Sequence, residues 1–265
     1  MSRRSSAGIL LALLLALPIQ AAEVRLPPAG GQYDSQLGGA YAPPPGTTIV
    51  SRDREATPAA GLYSICYINA FQTQPQDGDW WTQNHPDLLL TSAQGNLVFD
   101  PGWPDEVLLD TSTADKRAAL LDIVGPWIDQ CAKDGFQAIE ADNLDSYSRS
   151  DGALSMVVNL AFAKALVDRA HALGLAFSQK NSVELGTRGR DIGIDFAITE
   201  SCQQFEECDD YAAVFGRHVL DIEYADTPLS AFTAACQQFG SQISVIRRDH
   251  NLTMPGNAAY LYRVC

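Results

Sequence analysis

No Cys-x-x-Cys pair occurs in this chain, and its four histidines, His85, His171, His218 and His250, are scattered. Zinc sites draw on closely spaced cysteine and histidine ligands, so the sequence offers no basis for one. No Gly-x-Gly-x-x-Gly turn follows a strand-like run, which removes the dinucleotide fingerprint. Gly-x-Ser-x-Gly is missing, and the glycine-rich stretch Gly186 to Gly193 has no Lys-Ser or Lys-Thr, so neither a serine elbow nor a phosphate loop is present. Positive charge is scarce: 18 Lys and Arg stand against 32 Asp and Glu, a formal charge of −14. Such a surface repels phosphate backbones and anionic membranes, and so argues against nucleic-acid and membrane partners while favouring a neutral or cationic polymer.

The one sustained apolar run, Ile9 to Leu17, is too short to favour a membrane span. With Arg3 and Arg4 before it and Pro18-Ile19-Gln20-Ala21-Ala22 behind it, residues 1–22 read as a signal peptide, and the expected location is secreted or periplasmic. All six cysteines lie beyond it, an even number that in an exported chain predicts three disulfides out of fifteen pairings. Cys202 and Cys208 are spaced for a clip across a loop, Cys236 with Cys265 would tie down the chain end, and Cys66 with Cys131 remain by elimination.

Residues 23–46 are rich in Gly and Pro, end in Pro43-Pro44-Pro45-Gly46, and read as an extended lead-in to a domain spanning 47–265. Eight short apolar runs follow: Thr47 to Ser51, Tyr63 to Asn69, Val107 to Asp110, Phe136 to Asp142, Leu175 to Asn181, Phe196 to Glu200, Val219 to Glu223 and Ile243 to Arg247. Helical spacing marks Ala114 to Lys133, which Pro126 should bend or break, Ser155 to Leu173, and Leu229 to Phe239. The economical architecture is an α/β fold, a (β/α)8 TIM-type barrel, irregular near the first strands because too few residues separate the first two for a crossover helix. A doubly wound open sheet is the runner-up.

The acidic strand ends carry the chemistry. The approach Gly135-Phe136-Gln137-Ala138-Ile139 opens onto Glu140, Asp142 and Asp145, and later runs end at Glu200 and Glu223. In a barrel, Asp110, Glu140, Asp142, Lys180, Asn181, Glu200, Glu223 and Arg247 would surround one mouth, and converging like charges can hold one carboxylic acid protonated. Glycosidic cleavage needs that combination of an acid and an ionised carboxylate. Asp142 with Glu200 is the preferred pair, each ending a separate strand. Lys180 and Asn181 would anchor hydroxyls or orient a carboxylate, and the tryptophans of the long segment Gln72 to Asp105, Trp103 among them, would offer flat faces to sugar rings. Divalent metal binding competes for Asp142, Asn143, Asp145 and Glu140, but no twelve-residue calcium loop follows, and no cofactor is expected.

The stretches Cys66-Tyr67-Ile68-Asn69-Ala70, Gly102-Trp103-Pro104-Asp105-Glu106, Leu109-Asp110, Gly135 through Tyr147, Lys180-Asn181, Glu200-Ser201-Cys202 through Cys208, and Ile222-Glu223-Tyr224 resemble glycoside hydrolase family 114, whose prototype is endo-alpha-1,4-polygalactosaminidase. The resemblance implies a barrel hydrolysing α-1,4 bonds between galactosamine units, with Glu200 the acid and Asp142 the nucleophile or stabiliser. Glu140, Asp110, Asp145, Lys180, Asn181, Glu223, Tyr67 and Trp103 take supporting or sugar-binding places. One departure stands out: Phe71-Gln72-Thr73-Gln74 follows Ala70 where many members have Gly-Ser-x-Glu, so a subsite contact has changed. The expected partner is a polysaccharide, a cationic galactosamine polymer fitting the acidic cleft, and a single chain suffices. The alternatives are a non-catalytic carbohydrate-binding barrel and a hydrolase of another α-linked glycan.

Overall fold

The computed structural model describes residues 23–265; the expected signal peptide lies outside them. The fold is α/β, built on one curled, open sheet of nine strands arranged in sequence order. These are β1 (Tyr33–Ser35), β2 (Ile49–Asp53), β3 (Tyr63–Asn69), β4 (Ala138–Asp142), β5 (Ala176–Lys180), β6 (Phe196–Glu200), β7 (Val219–Tyr224), β8 (Ser244–Arg248) and β9 (Tyr262–Val264). Neighbours from β1 to β8 pair in parallel, and β9 runs antiparallel to β8. The helices are α1 (Gly78–Asn84), α2 (Ala114–Asp134), α3 (Met156–Ala172), α4 (Arg188–Asp191), α5 (Cys208–Phe215) and α6 (Leu229–Phe239).

The arrangement is TIM-barrel-like but incomplete: among the described residues no backbone ladder joins β1 to β8. Side chains bridge that seam instead. Arg248, fully buried, donates to Asp34 Oδ1 at 2.8 Å and to the Ser35 carbonyl, and the Tyr262 hydroxyl donates to the Tyr33 carbonyl at 2.9 Å.

Two strand expectations need correcting. Val107 to Asp110 is not a sheet strand; its residues make isolated bridges to Gln72, Leu89 and Phe99 within the long β3–β4 connection. The missing parallel strand is β1, inside the Gly- and Pro-rich segment expected to be a lead-in. Tyr33 is buried there in the sheet interior, and three paired residues are too few to show a period-two pattern. No helix separates β1, β2 and β3, as the short spacing required. α2 runs through Pro126 unbroken, with Leu120, Val124, Ile128 and Cys131 buried on one stripe; Thr113 caps its start and Gly135, at φ 96°, ends it in a left-handed conformation that glycine adopts without cost.

The core divides into two layers, as alternation along each strand requires. Ile49, Tyr63, Ile65, Ala138, Ala176, Phe196, Ile198, Leu220, Ile222 and Ile246 fill the concave interior. Cys66, Ile68, Ile139, Ala141, Phe177, Ala197, Val219 and Val245 face outward against the helices. Disulfides join Cys66 to Cys131, Cys202 to Cys208 and Cys236 to Cys265, the pairings the spacing suggested. The first ties β3 to α2, and the second closes the loop after β6.

Candidate active site

The interior face of the sheet becomes polar toward the C-terminal ends of its strands. Continuing the inward alternation past the apolar layer brings Ser51 and Asp53 from β2, Tyr67 and Asn69 from β3, Glu140 and Asp142 from β4, Lys180 from β5, Glu200 from β6 and Tyr224 from β7 to the same side. The register sets them level: Tyr67 lies opposite Glu140, and Asn69 opposite Asp142. The chain turns sharply behind these residues, because Asn143 (φ 66°), Asn181 (φ 51°) and Ser201 (φ 59°) are left-handed. Asparagine tolerates that region better than most residues, so the Asp-Asn and Lys-Asn pairs serve as strand ends as well as site residues.

Lys180 sits at the centre. Its side chain is 4% exposed, and its ammonium lies 3.3 Å from Asp142 Oδ1, 3.4 Å from Glu200 Oε2 and 3.8 Å from Glu140 Oε1. Three carboxylates around one buried cation keep the lysine charged: burial lowers its pKa, but Asp142, Glu200 and Glu140 together raise it well above the ordinary value. Asp142 also accepts from the Tyr67 hydroxyl at 2.9 Å and from the Asn143 amide at 2.9 Å. Glu200 accepts from the Tyr224 hydroxyl at 2.5 Å and from Asn181 Nδ2 at 2.8 Å, while its own amide donates to Asn181 Oδ1.

Burial alone would raise the Glu200 pKa, but Lys180, Tyr224 and Asn181 outweigh it, and the carboxyl is held below its usual range. Glu140 behaves oppositely. Burial pushes it up to about 7, only partly offset by Lys180 and the Ser51 hydroxyl at 2.7 Å. Both tyrosine hydroxyls, buried beside carboxylates, have pKa values raised well above normal and therefore remain donors.

These groups open into a cleft of about 510 Å³. Asp142, Glu200, Lys180, Asn181, Tyr67, Asp145 and Trp103 all line it. Trp103 is half exposed and stacks on the His250 ring at a centroid distance of 6.2 Å, and His250 in turn leans on Tyr224 at 4.8 Å. This aromatic wall joins the β3–β4 connection to the loop after β8. Also at the cleft, Arg149 holds Asp100 at 2.7 Å and Asp145 at 2.8 Å. In the departing stretch, Gln72 bridges Glu106 and Arg149, while Gln74 lines the cleft and donates to Asp53 at 3.4 Å.

Four residues expected at the mouth lie elsewhere. Glu140 is 1% exposed and forms a floor beneath Lys180. Asp110 sits ahead of α2, paired with Lys116; burial raises its pKa, but Lys116 and Ser112 lower it further. Glu223 and Arg247 point outward, because the inward residues of their strands are Tyr224 and Arg248. The sequence reading missed Tyr224, His250, Asp53 and Arg149. Tyr224 was accessible to it, since period two from Leu220 and Ile222 leads there; the loop residues carried no such signal.

The Asp142-Asn143-Asp145 fragment is not arranged for a metal. The oxygens of Asp142 and Asp145 are engaged by Lys180, Tyr67 and Arg149, and an ammonium holds the centre. Among the described residues, Cys202, Cys208 and Asp221 cluster with metal-like spacing, but both sulfurs are joined in a disulfide.

The fold is shared with solved carbohydrate-active structures. Ega3 of Aspergillus fumigatus, solved in complex with galactosamine, superposes with a TM-score of 0.73 at 22% identity, covering 92% of this chain and 98% of that one. The glycoside hydrolase domain of Pseudomonas aeruginosa PelA, in a single-residue variant form, gives 0.59 at 14% identity over 86% of this chain and 98% of its own. An alpha-amylase from Lactobacillus plantarum gives 0.52 at 12% identity, covering 88% and 76%. No curated protein matches the sequence. The sequence profile of glycoside-hydrolase family GH114 matches residues 15–265, nearly the whole chain, and the protein therefore belongs to that family.

Proposed function

We propose that this protein is an exported, monomeric, endo-acting glycoside hydrolase that cleaves α-1,4 linkages in galactosamine-containing polysaccharide, with Asp142 and Glu200 as its catalytic pair. The observation that carries the reading is the meeting of these two carboxylates, from separate strand ends, around one buried lysine at the base of an open cleft. Three disulfides support export. The seam bridged by Arg248 is read as the closing edge of a (β/α)8 barrel.

In this mechanism Glu200 protonates the leaving oxygen, and Asp142 attacks or stabilises the cationic anomeric centre. Since Lys180 lies 3.3 Å from Asp142 Oδ1 and 3.4 Å from Glu200 Oε2, those oxygens are at most about 6.7 Å apart, which leaves out most of the ~6.5 to 9.5 Å inverting range and is compatible with the ~5 to 5.5 Å of retaining enzymes. Retention of anomeric configuration is the expected outcome. Asp53, Asp100, Glu106, Asp142, Asp145 and Glu200 line the cleft against Arg149 and Lys180, an excess of negative charge that suits ammonium-bearing sugars. Trp103 and His250 supply a stacking wall for a sugar ring.

The direct test is to incubate the purified mature protein with partially deacetylated galactosaminogalactan and with neutral α-glycans, and to weigh the soluble oligomers by mass spectrometry. Internal cleavage of the first, unaffected by EDTA, is expected. Cleavage of neutral glycans alone would refute the galactosamine specificity, and binding without oligomer release would make the protein a lectin-like barrel.

An acid whose pKa is held low must work where it is still protonated, so kcat/KM is expected to peak on the acid side of neutrality. Tyr224→Phe removes one donor to ionised Glu200 and raises its pKa, which should move the alkaline limb of the pH–rate profile upward. Movement of the acid limb instead would make Glu200 the ionised partner and reverse the two roles.

A further inference from the structure

Glu223, expected in the cleft, lies on the outward face of β7 beside a second buried carboxyl. Asp221 and Glu223 are both fully buried and two residues apart on that face. Asp221 Oδ1 accepts from the Thr199 hydroxyl at 2.9 Å and the Cys202 amide at 3.2 Å, and Glu223 Oε1 accepts from the Gln203 amide at 2.8 Å. The remaining oxygens, Asp221 Oδ2 and Glu223 Oε2, are buried with no hydrogen-bond partner among the described residues, the Gln204 amide lies beside that of Gln203 at the Glu223 carboxyl, and the two carboxyls are close enough to act on each other. Every group they grip flanks Glu200: Thr199 precedes it, and Cys202 and Gln203 follow through the left-handed turn at Ser201.

We propose that Asp221 and Glu223 share one proton and act as a positioning pair, fixing the backbone on both sides of Glu200 and so aiming its carboxylate into the cleft. The proposal rests on Glu200 being catalytic. Two adjacent buried negative charges would repel, and one proton between the orphaned oxygens both removes a charge and makes the missing hydrogen bond.

The surroundings offer no substitute. Arg247, opposite Glu223 on β8, lowers the Glu223 pKa through its charge, but its guanidinium donates to the carbonyls of Ala225, Thr227 and Pro228 and to neither carboxyl. Tyr211 of α5 stays a neutral phenol, Glu200 of β6 adds a further negative charge, and the Cys202–Cys208 bridge does not titrate. Burial, then the charge of Glu223, hold Asp221 well above the ordinary carboxyl range, and burial raises Glu223 despite its backbone donors. The folded state therefore binds this proton more tightly than the unfolded chain, and the stability it confers is present in acid and lost as pH rises through the folded pKa.

Asp221→Asn places a permanent N–H where the shared proton lies, whereas Asp221→Leu removes it. Asn is expected to keep wild-type kcat and KM at the acid optimum and to hold its Tm as pH rises and the wild type declines, so the two Tm–pH curves diverge with increasing pH. Leu is expected to lower kcat on the order of tenfold or more with KM within about twofold, because a misaimed acid affects the chemical step rather than binding. Parallel Tm–pH curves for wild type and Asp221→Asn would overturn the shared proton. Loss of kcat in Asp221→Asn equal to that in Asp221→Leu would overturn the positioning role. The Tm comparison needs no activity, so it stands even if Glu200→Gln shows that residue to be dispensable. If Asp221→Leu does not fold, the wild-type and Asn curves still decide the shared proton, and Glu223→Leu takes its place in the kcat comparison.

Discussion

Replacing Glu200 by Gln, or Asp142 by Asn, is expected to lower kcat by at least about 1,000-fold while leaving Tm within a few degrees of the wild type. Both changes preserve size and most hydrogen bonds. A Gln at 200 can still accept from Tyr224 or Asn181, and an Asn at 142 from Tyr67. Each removes one negative charge from a cluster in which three carboxylates face one lysine, so neither leaves a buried cation without a partner. What they remove is the ability to exchange a proton or to stabilise a cationic transition state. Soluble oligomers quantified over time, with circular dichroism melts on the same preparations, would check both halves. Full turnover by either variant would exclude that residue from the chemistry. In the Asp142→Asn variant, restoration of cleavage by a small external anion such as azide would support the nucleophilic assignment.

Lys180→Met should damage stability as well as activity. The substitution is near in volume but leaves Glu140, Asp142 and Glu200 converging without their cation, and Glu140 is almost wholly buried. Breaking a buried ion pair by removing one partner costs roughly 3 to 5 kcal/mol, which in a chain of this size lowers Tm by about 10 °C. The pH dependence carries the sign of the effect. Without Lys180 all three carboxyls bind protons more tightly, so the deficit should be large at pH 7 and shrink as acid neutralises the cluster. Melting curves from acid to neutral pH would show it. A deficit independent of pH would mean that lost packing, and not uncompensated charge, is responsible.

The Glu140 floor adds to this dependence in the wild type. Its folded pKa of about 7 lies above that of an ordinary carboxyl, so its contribution is full in acid, fades as pH rises above the ordinary carboxyl range, and is lost through about pH 7. Asp221 acts in the same direction, which is why the Asp221→Asn comparison is needed to separate them.

Apolar runs that end in charge were enough to find seven of the eight expected strands and to single out Asp142, Lys180, Asn181 and Glu200 at their ends; helical spacing found α2, α3 and α6, cysteine spacing the disulfide partners, and the family resemblance Tyr67, which lines the same cleft as those four residues, Asp145 and Trp103. Those signals are local: a strand shows its period, a helix its stripe, and a carboxylate at a strand end its direction along the sheet. Which side of the sheet a terminal residue faces depends on the alternation being counted from an anchored interior position, and at β7 a single step separates Tyr224, bonded to Glu200, from Glu223, buried outside under the Cys202–Cys208 loop. The short strand at Tyr33–Ser35 exists because β2 and the Arg248 side chain receive it, not because three residues prefer to be extended. Long-range contacts likewise made Lys180 the hub of three carboxylates and set Trp103 against His250, since both arrangements join residues that only the curvature of the sheet brings within reach.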